Sequence, residues 1–272
     1  MKRVSVLALL AFVGVAFFAP TMVAAQQGSF TAPGALMDLR LPNGAGKSLL
    51  SQTAWGASYQ TIFLGGGYQK NVPFDDVGDA GMGVGIGLLD PVLNVGVEFN
   101  LGVNDVSEMG EFSLGAKLHR FLGYGTAFAV GVEDMYSNLQ GDAGEDLDID
   151  PTFYAVVSHT LQNVDGIVPG AGKVHFSIGL GNGRFSEMPQ RTRDVKGKEH
   201  GSWVFGNAAV EVVENLNIMG EWDGIGLNAG FAYTLPLDAA VAMISAGVAD
   251  ITEYSTDQPR FLIGGAIAYT IF

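Results

Sequence analysis

The chain contains no cysteine in 272 residues. Disulfides, thiolate metal sites and a lipid-modified N-terminal cysteine are therefore excluded, even in an oxidising compartment. Basic residues are scarce, with 14 Lys and Arg against 28 Asp and Glu. A formal net charge of −14 argues against neutralising a nucleic-acid backbone. Beyond the N-terminal segment no run approaches the roughly 18 apolar residues of a second helical membrane span.

Hydrophobicity is nevertheless high, at 48% of residues and a mean hydropathy of +0.26. It is spread at period two rather than pooled, which is the pattern of a membrane β-barrel. Glycine is frequent, at 39 residues, and follows no three-residue repeat, so collagen is excluded. Much of it sits inside apolar alternating runs, as at Gly81, Gly83, Gly85 and Gly87. Glycine there relieves crowding where strands bend.

Residues 1–25 read as a cleavable export signal. Lys2 and Arg3 precede an uncharged, mostly apolar run over 4–18. Val23 and Ala25 then place small side chains ahead of a cut before Gln26. Cleavage would leave a net charge of −16, because the signal carries two basic residues and no acidic one. Residues 26–58 are rich in turn formers, including Pro33, Pro42, Asn43, Gly44 and Gly46. They read as a periplasmic N-terminal arm or a partial plug, ahead of a barrel over 59–272.

Twelve strands are expected: 59–69, 80–89, 92–101, 110–120, 124–134, 151–161, 173–183, 202–213, 215–223, 225–235, 239–250 and 261–272. The fold class is thus all-β, an antiparallel up-and-down transmembrane barrel in the bacterial outer membrane. If the first strand runs outward, connections on the periplasmic side are mostly tight, as at Asp90-Pro91 and Glu214, while those outside are longer and more polar. That asymmetry is characteristic of outer-membrane barrels.

Strand faces follow from alternation. Val97, Phe99 and Leu101 oppose Glu98 and Asn100; Leu114, Ala116 and Leu118 oppose Lys117 and His119; Phe176, Ile178 and Leu180 oppose His175 and Ser177. The apolar set should meet lipid and the polar set should line the lumen. Aromatic residues near strand ends (Tyr59, Tyr68, Tyr124, Trp203, Trp222, Tyr233, Tyr269) suit interfacial girdles. The last strand alternates well, but Phe272 falls off the face shared by Phe261, Ile263, Ile267, Tyr269 and Ile271.

The charged lumen set is Glu98, Lys117, His119, Glu133, His175, Glu211, Glu221 and Asp223. It either forms a polar constriction that prefers cations or fills a narrow barrel with paired side chains. The loop 141–150 carries Asp142, Glu145, Asp146, Asp148 and Asp150. Its carboxylates are a weak Ca2+ candidate, and a solvated acidic loop is the plainer reading. Arg184, Arg191, Arg193, Lys196 and Lys198 make the outer loop over 184–200 basic. It could dock an anionic surface ligand such as polysaccharide, or simply be solvated. No G-x-S-x-G occurs, and none of the four histidines pairs with a placeable serine, so no catalytic residue, metal or cofactor is assigned.

The phrases GEFSLGAKLHR (110–120), AFAVGVED (127–134), LGNGRF (180–185) and EWDGIGLNAGFAY (221–233) resemble barrel segments of the YjbH-like outer-membrane group. That resemblance implies a role in exopolysaccharide export or display and carries no catalytic residue over. The reading is a non-enzymatic, porin-like or export-associated channel for small or saccharide solutes. The alternatives are a sealed barrel acting through its outer loops and, further off, a lipid hydrolase. Expected partners are outer-membrane lipid, lipopolysaccharide, the barrel-assembly machinery and a polysaccharide.

Overall fold

A computed structural model of the chain describes residues 47–70, 79–103, 112–137, 151–162, 173–187, 197, 200–238, 240–254 and 258–271. The export signal lies outside the described residues, as does most of the arm. So do the acidic loop 141–150, Arg191, Arg193, Lys196, Lys198 and Phe272.

Twelve strands form a single sheet: β1 (Thr61–Lys70), β2 (Asp79–Leu88), β3 (Gly96–Val103), β4 (Phe112–Gly123), β5 (Thr126–Ser137) and β6 (Thr152–Gln162), then β7 (Lys173–Gly181), β8 (Val204–Val213), β9 (Leu216–Trp222), β10 (Leu227–Pro236), β11 (Ala240–Ala249) and β12 (Arg260–Thr270). Each pairs antiparallel with its chain neighbours, and β1 pairs with β12 from Thr61↔Thr270 to Lys70↔Phe261. The sheet is a closed barrel with no free edge, the arrangement that satisfies every strand amide in lipid.

The period-two pattern becomes an inside and an outside. Leu101, Leu118, Phe176, Ile178, Leu180 and Ile218 face outward, while Glu98, Lys117, His119, His175, Asn217 and Glu221 are buried within. Tight connections join β4 to β5 and β8 to β9 at the end where β1 starts and β12 finishes. At the β4–β5 turn Gly123, Tyr124 and Gly125 all take left-handed φ, and at β8–β9 Asn215 does so.

The third strand starts later than the pattern suggests. Asp90 Oδ1 accepts from the amides of Val92 at 2.8 Å and Leu93 at 3.4 Å. This turn keeps Val92 to Val95 in the connection, and pairing begins at Gly96. A bulge distorts β5 opposite β4: Leu114 and Ala116 pair with Tyr136 and Val132. The extra residues turn both Glu133 and Asp134 inward.

Two apolar clusters fill part of the interior. One gathers Ala57, Phe63, Met219, Val241 and Met243, with Leu49 against it. The other gathers Trp55, Tyr154, Val156, Phe185 and Phe205. Both include residues that precede the first strand, so the segment before β1 is itself part of the core.

Candidate functional site: the occupied lumen

Residues 47–58 run inside the barrel, and all but Leu49 and Leu50, which are half-buried, are buried. The path is traced by its partners. Lys47 Nζ donates to Asn217 Oδ1 at 2.8 Å, near the end of the barrel that carries the termini. The segment then turns back at 48–52, nearer the opposite mouth, against Glu221, Glu133 and Arg184. It returns past Ser158, His175 and His119 to enter β1.

Glu221, on β9, seats the bend. Its carboxylate accepts from the amides of Leu49 at 2.9 Å, Leu50 at 2.7 Å and Ser51 at 3.3 Å. The hydroxyls of Ser48 and Ser51 add 2.7 Å and 3.0 Å bonds, and Asn228 Nδ2 one of 3.0 Å. Three successive amides on one carboxylate form an anion nest, and charge-assisted bonds of this kind are stronger than neutral ones.

Glu133 and Arg184 hold the bend from the outer side. Arg184 forks onto Glu133 through Nε and Nη2, the latter at 3.0 Å, and Nη2 also donates to the Leu50 carbonyl at 2.9 Å. The Gln52 side chain donates to Glu133 as well. The Arg184 guanidinium stacks 4.2 Å above the Phe185 ring, which stacks on Phe205 at 4.1 Å. Grouping Arg184 with the basic outer loop is therefore corrected. The short 3-10 turn Gly183–Phe185 folds its side chain back into the barrel mouth, where Glu133 supplies a buried counter-charge.

The returning limb is bound as closely. The Ala54 amide donates to Ser158 Oγ at 2.8 Å and the Ala57 amide to Glu98 at 2.7 Å. Trp55 Nε1 meets His175 Nδ1 at 3.3 Å, and the Trp55 carbonyl accepts from Lys117 at 3.3 Å. His119 Nε2 lies 3.1 Å from the Ala57 carbonyl, and Lys117 is 3.7 Å from Glu98. Small residues make room. A Cβ on Gly87 would overlap the Ala57 and Ser58 carbonyls, and one on Gly247 would come within 2.7 Å of Leu49 Cδ1.

All eight residues assigned to the lumen by pattern are inside the barrel: Glu98, Lys117, His119, Glu133, His175, Glu211, Glu221 and Asp223. Five of them bond residues 49–57 directly, and Trp55 meets a sixth, His175. Glu211 instead caps the β8–β9 turn through the Asn215 amide at 2.7 Å. Asp223 caps the β9–β10 turn through the amides of Ile225 and Gly226. The sequence alone left these groups either lining an open constriction or paired with one another, because nothing in 47–58 alternates or carries charge beyond Lys47. Its serines and threonine were the available signal. Among the described residues no group of three His, Asp or Glu side chains could hold a metal.

A closed antiparallel barrel with an apolar outward belt is a transmembrane β-barrel, and this chain is one of the bacterial outer membrane. No protein-family description matches the chain, and no curated protein does. Solved structures share its barrel at low identity. LpxR from Salmonella typhimurium is 10% identical, with 77% of this chain and 100% of that one covered and a TM-score of 0.44. The KdgM porin is 11% identical, covering 78% and 99% at 0.41. Outer membrane phospholipase A from Escherichia coli is 8% identical, covering 78% and 97% at 0.41. The likeness is one of barrel fold and extends to no activity.

Proposed function

We propose that this protein is a non-enzymatic outer-membrane channel held shut by its own N-terminal segment. The observation that carries the proposal is residues 47–58 threaded through the lumen on polar seats. The segment adds Ala54, Trp55 and Ala57 to the apolar clusters, so its release also exposes apolar surface. Its bonds to charged wall groups exchange for water at a net cost of about 1.5–3 kcal/mol each. Two buried polar atoms at this interface, Gln52 Oε1 and Asn217 Nδ2, have no hydrogen-bond partner, which lowers the cost of release.

Once the segment leaves, the wall keeps Glu98, Glu133, Glu211, Glu221 and Asp223 against Lys117, Arg184 and Arg260. The open state should prefer cations and small neutral solutes. The resemblance of the strand phrases to YjbH-like barrels adds saccharides to the solutes worth testing. The competing reading is a sealed barrel acting through its outer loops, favoured by the five bonds from residues 48–51 to Glu221.

Planar-bilayer recording of the mature chain and of a variant lacking residues 26–58 separates the two. Folding of both is checked by a heat-dependent gel shift. Rare openings in the mature chain and stable, cation-preferring steps in the variant support the channel. A folded variant with no conductance sinks it in favour of the sealed barrel.

A further inference from the structure

The outward belt is apolar and nearly uncharged. Among the described strand residues, its outward positions carry three basic side chains, Lys70, Arg120 and His159, and no acidic one. Lys70 stands at the end of β1 far from the termini. Arg120 and His159 both stand near the opposite end, on β4 and β6, with β5 and its outward Phe128 between them. Arg120 pairs with Phe128 and His159 with Thr126, two residues apart on β5.

His159 is positioned by its neighbours. Thr126 Oγ1 lies 2.8 Å from its Nδ1, and its ring is 5.3 Å from that of Phe176. When the hydroxyl donates to Nδ1, Nε2 carries the proton and meets a ligand as a donor.

The adjoining turn is shaped around this histidine. Gly123, Tyr124 and Gly125 follow one another at φ 91°, 50° and 76°. A Cβ on Gly125 would overlap the Thr160 carbonyl, and the Thr160 amide donates to the Gly125 carbonyl at 2.8 Å. The result is a notch lined by Phe121, Tyr124, Gly125, His159, Thr160 and Leu161. Tyr124 stands over it at 99% exposure. Snorkelling accounts for a lone arginine at this level of a barrel. It does not account for a histidine fixed by a hydroxyl and an aromatic ring beside an open notch.

We propose that this notch binds the phosphodiester of one anionic glycerophospholipid from the leaflet at the termini-bearing end. Arg120 supplies the charge and His159 Nε2 a directed hydrogen bond. Tyr124 sits at headgroup level, where aromatic side chains with one polar end are favoured. The exposed faces of Leu118, Val157, Phe176 and Ile178, level with these groups or nearer the middle of the barrel, offer the acyl chains an apolar track. Among the described strand residues no carboxylate on this face opposes the phosphate.

Native mass spectrometry of the refolded mature barrel tests the site, with palmitoyl-oleoyl phosphatidylglycerol added in phosphate-free detergent. One lipid per barrel is expected to survive activation. Arg120→Gln and His159→Phe should each lower the bound fraction about tenfold, the effect of losing one charge-assisted hydrogen bond. Lys70→Gln at the far end should leave it unchanged. Thr126→Val, which frees the ring without replacing it, serves should His159→Phe fail to show the heat-dependent gel shift. Equal retention by the Arg120→Gln variant and by a folded His159 or Thr126 variant overturns the proposal. Displacement by millimolar inorganic phosphate would reassign the notch to a free anion and overturn the lipid as its ligand.

Discussion

Glu221 accepts from three consecutive amides of the lumen segment, so its removal takes the acceptor from the half-buried amides of Leu49 and Leu50 and the buried amide of Ser51. Glu221→Ala should therefore destabilise the seated segment by about 2–4 kcal/mol. Trp55 reports this directly, because it is buried while Trp203 is exposed and Trp222 lies on the outer side of β9. With Trp203 and Trp222 replaced by Phe, acrylamide should quench Trp55 more strongly in Glu221→Ala than in the parent. Equal quenching would mean that the carboxylate does not hold the segment. Arg184→Lys keeps the charge but loses the fork onto Glu133 and the reach to the Leu50 carbonyl. It should raise quenching in the same direction by a smaller amount, and no change would remove Arg184 from the seat. Period-two alternation was enough to place Glu98, Glu133 and Glu221 inside. What they bind was not legible, because their partners are backbone amides of a stretch without pattern. Arg184 was misplaced for a related reason: a basic residue at the start of a basic loop looks solvated until the turn that folds it back is seen.

At the scale of elements, the segment and the strands it passes are matched in size. Gly87 on β2 lies where the Ala57 and Ser58 carbonyls cross the wall. Gly87→Val should block the returning limb while leaving the outward belt intact. The expected result is a heat-modifiable barrel in which Trp55 is open to quencher. A protected Trp55 in that variant would contradict the packing described. All twelve strands were readable because lipid on one side and a polar interior on the other impose a strict alternation. Their limits were less so. Asp90 holds Val92 to Val95 out of β3, and the β5 bulge adds residues that a period-two count passes over. Both devices depend on side-chain capping and local twist rather than on hydrophobic pattern.

For the whole molecule, closure from β1 to β12 and the outward apolar belt make the membrane part of the stability. Ile178 is 63% exposed on the lipid side, well within β7. Ile178→Arg should cost about 2–4 kcal/mol in a bilayer and show as a lowered melting point of the heat-modifiable band. An unchanged melting point would mean that this face does not meet lipid. The central claim is that one segment decides whether the lumen conducts. Ser51 Oγ and Asn207 Nδ2 are 3.0 Å apart, and the chain has no cysteine to compete with an engineered pair. The decisive measurement is single-channel conductance of the Ser51→Cys, Asn207→Cys protein, its two thiols bridged by a short bis-methanethiosulfonate, before and after reduction in the same bilayer. Silence when bridged and cation-preferring openings when reduced are expected of a segment that gates the channel. Equal conductance in both states would contradict it.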